Sequence, residues 1–298
     1  MIRASLVAFA ALLGSAHAEV IDATAKYPEG PLWQGDTLYV AEMGVDTVFA
    51  HQQGRKNVFW KDDGCGPTSV APYGDGLLVL CHLGRAVVAV NAAGVEQRRW
   101  RAAANGVRLR DPNDSFADGR GGVYFSDPGI FSINTRPHGA VMHLGANGVL
   151  RRVAEDLHYP NGVFVDRREN TLYVDEHMRR RVLRYPIAAD GSLGAQEVFA
   201  DINALTQKMG TYAEAGPDGI ERGPDGDFYV CLYGEGRVLR LSSRGTLVAS
   251  IAVPTPYLTN IAFGPDGAAY LTGSYDNTTP PFPGAVLRLS PAALAPRR

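Results

Sequence analysis

Residues 37–42 read TLYVAE and residues 171–176 read TLYVDE, the same six letters with one change. Four further segments share their character: LLVLC (77–81), VYFSD (123–127), FYVCL (228–232) and AYLTG (269–273). Each is a short apolar, β-prone run of the kind that forms a buried strand. A turn signal precedes every run: QGD, YGDG, DGRGG, DRREN, GPDGD and GPDGA. Another short strand lies before each turn, and a third follows each run as TVFAH, AVVAV, AVMHL, RVLRY, RVLRL and AVLRL. A fourth follows in all units but the last: NVFWK, VEQRRW, VLRRVAE, QEVFAD and LVASIAV. Six four-strand units with no convincing amphipathic helix between them predict an all-β fold, a six-bladed β-propeller. A two-sheet sandwich is the alternative, and six-fold repetition speaks against it. The last unit ends at Pro291 without its fourth strand, and EVIDATA, near the N-terminus, is strand-like. That segment is expected to complete the last blade and close the ring, since an open ring exposes sheet edges.

In a propeller the first strand of each unit lines the central channel. Aligning those strands gives PEGPL, PTSVA, PNDSF, PNGVF, PDGIE and LTNIA, whose second residues are Glu29, Thr68, Asn113, Asn161, Asp218 and Thr259. All six carry side-chain oxygen, and their spacing of 39 to 57 residues is the unit length. The spacing makes them spokes of one inward-facing ring. Glu29 illustrates the constraint, held between Pro28 and Pro31 in a rigid corner. Two carboxylates and two amides in one channel repel or stay unsatisfied unless a positive charge joins them. The donors are hard oxygens with no histidine or cysteine among them. That set suits one divalent cation, Ca²⁺ first, then Mg²⁺ or Mn²⁺, with Zn²⁺ less well matched. A water-filled polar channel is the plainer reading of the same ring.

The chain of 298 residues has 29 Lys and Arg against 31 Asp and Glu, a net charge of −2. No basic excess offers itself to nucleic acid or an anionic membrane, so neither is an expected partner. Residues 1–18 look like a cleavable signal peptide: Arg3 supplies the positive end, Leu6 to Leu13 an apolar core, and Ala16-His17-Ala18 a cleavage site. The apolar run is too short to span a bilayer. Residues 19–298 then form a single exported propeller domain, periplasmic or secreted, and monomeric. Three cysteines in an oxidising compartment are an odd number; Cys65 and Cys81 could pair and leave Cys231 as a buried thiol.

Five motifs in blade order carry a resemblance: E-G-P-x-W at Glu29–Trp33, P-N-D at Pro112–Asp114, Y-F-S-D-P at Tyr124–Pro128, Y-P-N-G at Tyr159–Gly162 and P-D-G at Pro217–Gly219. Across essentially the whole chain after the leader, the sequence resembles the SMP-30/gluconolactonase/luciferin-regenerating-enzyme family of six-bladed propellers. The resemblance implies a divalent metal, often calcium, held by Glu29, Asn161 and Asp218. It implies Asn113 beside the metal, contacting water or substrate, and Asp218 as acid/base. The implied activity is hydrolysis of lactones, sugar lactones included, or of related esters. Sugar lactonases nearest the animal protein carry an arginine two residues before the substrate asparagine; here that place is Asp111, with Arg110 one step away. Y-F-S-D-P instead resembles bacterial gluconolactonases and a staphylococcal lactonase.

A metal can polarise a lactone carbonyl, and a calcium-bound site still needs a base, for which Asp218 is the candidate. No G-x-S-x-G or H-E-x-x-H motif offers a different chemistry. Asp127 and Glu176, each ending a second strand, are second-tier candidates for a second metal or for orienting ligands. His82 and His177 could reach the mouth, though structural roles suit them better. Loops 126–139 and 204–216 are expected to cover the mouth, with Phe131, Met209 and Tyr212 forming an apolar wall. Two other classes share the ring: a calcium-binding or carrier propeller without catalysis, and a strictosidine-synthase-like lyase that needs no metal. The Glu, Asn and Asp set speaks against the second, and a ring with too few protein ligands to saturate calcium speaks against the first.

Overall fold

The turn chemistry of each unit converts the repeated runs into antiparallel meanders. In a computed structural model, which describes residues 18–295, the first sheet holds Pro28–Gln34, Thr37–Glu42, Thr47–Gln52 and Arg55–Lys61. The second holds Pro67–Tyr73, Gly76–Cys81, Ala86–Val90 and Glu96–Trp100. The third holds Ser115–Ala117, Val123–Asp127, Gly139–Leu144 and Leu150–Leu157. The fourth holds Pro160–Asp166, Thr171–Glu176, Arg181–Pro186 and Glu197–Asp201. The rest is one eight-stranded sheet made of two meanders, joined by the single pair Tyr233↔Tyr257. Its first half runs from Gly216–Arg222 to Leu247–Ala252; its second holds Tyr257–Phe263, Ala269–Ser274 and Gly284–Leu289. The whole is a propeller-like arrangement of four-stranded sheets.

The fourth strand of the last meander is Glu19–Asp22, antiparallel to Gly284–Leu289 with Glu19 opposite Arg288 and Val20 opposite Leu287. After Gly284–Leu289 the chain turns into a short helix, Pro291–Leu294, capped by Ser290. Asp22 also binds the first sheet through Lys56 Nζ at 2.7 Å. The leader expected over residues 1–18 lies, apart from Ala18, outside the described residues. No helix among the described residues is long and apolar enough to cross a membrane.

Burial follows from strand alternation between neighbouring sheets, so the core is divided into wedges. Val48 and Trp60 pack on Val79 and Val88 between the first and second sheets. Leu80 meets Phe125, and Tyr124 meets Val174, across the next two gaps. Tyr173 packs on Phe228, and Cys231 on Leu271. Leu38 and Val40 meet Tyr270 and Val286, joining the last meander to the first sheet. The first strands are therefore adjacent in a closed circuit, which fixes their residues around one axis.

Candidate metal centre

A regular strand would turn successive side chains to opposite faces, leaving no reason for one register to point to the axis. The inner strands avoid this with register shifts at the column itself: Glu29/Leu32, Pro67/Ser69, Pro160/Val163, Pro217/Ile220 and Leu258/Asn260. Such bulges re-aim a side chain at the cost of local ladder bonds. Glycine follows three of the column residues, as Gly30, Gly162 and Gly219, and lets adjacent strands approach. A Cβ on Gly162 would lie 2.1 Å from the Asp218 carbonyl oxygen, and one on Gly30, at φ +34°, would lie 2.5 Å from the Thr68 oxygen. The third sheet differs. Its inner strand is only Ser115–Ala117, so Asn113 precedes it, held by its N–H to the Ser126 carbonyl at 3.0 Å.

All six column residues are buried, but they divide into two roles. Thr68 Oγ1 donates to the Asn113 carbonyl at 2.7 Å, and Thr259 Oγ1 to the Pro28 carbonyl at 2.7 Å. Their hydroxyls brace neighbouring strands, which differs from the sequence reading of six equal spokes. Glu29, Asn113, Asn161 and Asp218 remain. The Asn161 Oδ1 is buried without a hydrogen-bond partner, and no donor meets the Asp218 carboxylate among the described residues.

Burial, and then the charge of Asp114, holds Asp218 well above the usual carboxylate range. Burial, then Asp218 and Asp114, does the same to Glu29, opposed by the Gly30 N–H. Asp114 itself is satisfied by Ser69 Oγ at 3.1 Å, Asn260 Nδ2 at 3.0 Å and the Val163 N–H at 3.0 Å; burial still pushes it up to about 6. Among the described residues no group of three His, Cys, Asp or Glu is arranged to hold a metal. Glu29 and Asp218 supply two carboxylates, and Asn161 adds a buried, unpartnered amide oxygen. An orphaned amide oxygen among like charges fits a hard divalent cation.

Asp127 and Glu176, the second-tier candidates, are engaged elsewhere. Asp127 accepts the N–H groups of Arg110 at 2.9 Å and Asp111 at 2.8 Å, and Glu176 accepts that of His158 at 2.8 Å. Glu42 likewise accepts the Lys26 N–H at 2.9 Å. In each case the end of the second strand clasps the backbone two residues before the proline of the inner strand. In the second sheet that clasp is covalent, a disulfide between Cys65 and Cys81. Cys231 is a buried free thiol, pushed up by burial and the nearby carboxylates.

Aromatic side chains crowd the approach. Tyr27 and Tyr159, each before the proline of an inner strand, adopt φ of 47° and 58°, and both phenols feel the charges of Glu29 and Asp218. Tyr27 Oη meets Tyr233 Oη at 2.8 Å. Loop 126–139 packs Phe131 edge-on to Tyr159 with ring centroids 4.8 Å apart, and loop 204–216 packs Tyr212 against Tyr233 and Tyr257. Phe131 and Tyr212 thus join the aromatic cluster, although Phe131, like Met209, is 37% exposed. His177 Nε2 faces the Glu214 carbonyl at 2.7 Å, so that nitrogen carries the proton, and burial lowers the imidazole to about 4. Arg110 spends its guanidinium on the His138 carbonyl. Sequence reading missed Asp114, Asp175 and Tyr27. Their signals were an Asp after the column asparagine, the one letter separating TLYVDE from TLYVAE, and a Tyr-Pro shared with Tyr159.

Known proteins share this chain's sequence pattern and fold. Lactonase drp35 of Staphylococcus aureus (strain MW2) is 26% identical over 199 residues, covering 63% of this chain and 57% of the relative. The chain thus spans less than two thirds of that relative's length. A gluconolactonase of Xanthomonas campestris shares the fold with a TM-score of 0.73 at 24% identity, over 94% of this chain and 91% of the other. The calcium-binding protein regucalcin of Agrobacterium tumefaciens does so with a TM-score of 0.75 at 22% identity, over 92% and 94%. Residues 27–275 match the SMP-30/Gluconolactonase/LRE-like region, and the chain belongs to that family.

Proposed function

We propose that this protein is a six-bladed β-propeller hydrolase that opens a lactone or related ester at its central channel, using one divalent cation, Ca²⁺ by preference. The observation that carries the reading is the burial of Glu29, Asn161 and Asp218 together, with an unpartnered amide oxygen and, among the described residues, no cationic side chain paired with them. These three residues would hold the cation. When bound, it supplies positive charge that polarises the ester carbonyl and steadies the developing oxyanion. Asp218 accepts a proton from water as the water oxygen bonds to the carbonyl carbon, and returns it to the ring oxygen as the acyl C–O bond breaks. Asn113 directs its amide N–H to the substrate oxygen. Tyr27, Tyr159 and Phe131 exclude bulk water from the approach and offer an apolar face to the ring.

The names of its relatives, a lactonase and a gluconolactonase, support the reaction class, and regucalcin's calcium supports the cation. The leader-like first 18 residues support export, and the Cys65–Cys81 disulfide suits an oxidising compartment. We take the partner to be a small-molecule substrate, not nucleic acid or membrane, and the working unit to be a monomer.

A panel of sugar, aliphatic and aromatic lactones with aryl esters, assayed on metal-stripped and Ca²⁺-reloaded protein, tests the reading. Turnover that disappears on stripping and returns on reloading is expected. Cation binding with no turnover on any member would instead mark a calcium-binding propeller.

A further inference from the structure

The single letter that separates TLYVDE from TLYVAE places Asp175 where the first sheet has Ala41. Each second strand has one residue at this register, set opposite a valine of the third strand: Ala41, Leu80, Ser126, Asp175, Cys231 and Thr272. Five are neutral and fit, so packing there has no need of a carboxylate. Asp175 is fully buried, and neither of its carboxylate oxygens has a hydrogen-bond partner among the described residues. No lysine, arginine or histidine pairs with it among those residues. The contrast with Asp114, met by three donors, is direct.

The strand carrying Asp175 packs beside Gly216–Arg222, and Asp175 feels the charge of Asp218, then that of Asp114. A buried carboxylate with neither donor nor counter-ion is heavily penalised. Among the described residues no donor or counter-ion offsets that penalty. A cation at Glu29, Asn161 and Asp218 would.

We propose that Asp175 is an outer-sphere anion of the cation site, raising its affinity and biasing it towards higher charge without coordinating the ion. The inference rests on the reading of Glu29, Asn161 and Asp218 as a cation site. Outer-shell partners of metal ligands typically contribute roughly 10- to 100-fold in affinity. In the metal-free protein the same buried carboxyl should destabilise the fold, because its burial goes uncompensated by any donor or counter-ion among the described residues.

The test compares wild type with Asp175→Asn after metal stripping, titrating each with Ca²⁺ and with Tb³⁺ and recording thermal unfolding of the metal-free forms. The variant should bind Ca²⁺ roughly 10- to 100-fold more weakly. Its Tb³⁺ affinity should fall further, since removing one charge costs a trivalent ion more, and its metal-free form should melt higher than wild type. Unchanged Ca²⁺ affinity with an unchanged Tb³⁺/Ca²⁺ ratio would overturn the inference, as would a metal-free variant that melts lower. If Asp175→Asn does not fold, Asp175→Ser, which borrows the residue of the third sheet, carries the same expectations. Failure of both to fold would show that packing, not charge, fixes the position. Wild type that binds Ca²⁺ yet hydrolyses nothing refutes the hydrolase reading and leaves the role of Asp175 to the same titrations. Wild type that binds neither ion overturns both.

Discussion

Glu221 lies three residues past Asp218 on the same inner strand and lines a cavity of about 210 Å³ with Ser69, Asp114, Ser115 and Asn260. Burial, then the charge of Asp114, pushes it up to about 8, with Arg167 opposing. The folded protein therefore keeps a proton that the unfolded chain loses near 4.5. Stability falls as pH rises between those two values, because only the folded state still binds the proton. Glu221→Gln removes this slope. Its melting temperature should match wild type near the lower value and exceed it above the upper one; equal melting curves at both ends would assign the proton elsewhere. The column that contains Asp218 was legible because a polar residue recurs at one register of each first strand. The different task of Thr68 and Thr259 was not, since only folding shows that their hydroxyls reach the carbonyls of neighbouring strands. Asp114 was equally hidden: its neighbours Ser69, Val163 and Asn260 come from three other strands.

Strands and turns were legible from periodicity and turn chemistry, because each strand has its apolar face and each turn its glycine or aspartate. The bulges that aim the column were not, since they fall where inner strands distant in sequence approach each other, at Gly30 and Gly162. The clasp at the end of the second strand also spans the unit. Two of its carboxylate forms, Asp127 and Glu176, look in sequence like candidate ligands, and only their backbone partners show the difference. In the second sheet Cys65 and Cys81 take the same places, so the disulfide should act as a covalent clasp. Replacing both with serine should lower stability by about 2–4 kcal/mol in chemical denaturation. Cys65→Ser with Cys81→Glu should recover part of that loss by restoring an acceptor for the backbone. No recovery would mean that the disulfide acts only on the unfolded chain.

The circuit of sheets closes through residues that are far apart in sequence: Glu19–Asp22 on Gly284–Leu289, and Leu38 and Val40 on Tyr270 and Val286. The missing fourth strand of the last unit made this closure legible from sequence. Deleting residues 19–22 exposes the edge of Gly284–Leu289 and removes the Asp22–Lys56 ion pair, so the protein should melt several degrees lower and aggregate more readily. Unchanged melting would show that the last meander holds without its outer strand. The proposed cation site depends on the same closure, since Glu29 comes from the first sheet while Asn161 and Asp218 come from two adjacent inner strands further round the circuit. What a lactone would touch was legible only as a class: the mouth aromatics were foreseen from loop composition, but not their packing around Tyr27 and Tyr233. The most direct test of the account is the turnover of Asp218→Asn, on whichever lactone the wild type hydrolyses best, with bound Ca²⁺ measured in the same sample. The amide can still offer the cation an oxygen but cannot accept a proton. The account predicts Ca²⁺ still bound and a rate lower by roughly 10²- to 10⁴-fold; wild-type turnover with Ca²⁺ bound would contradict it.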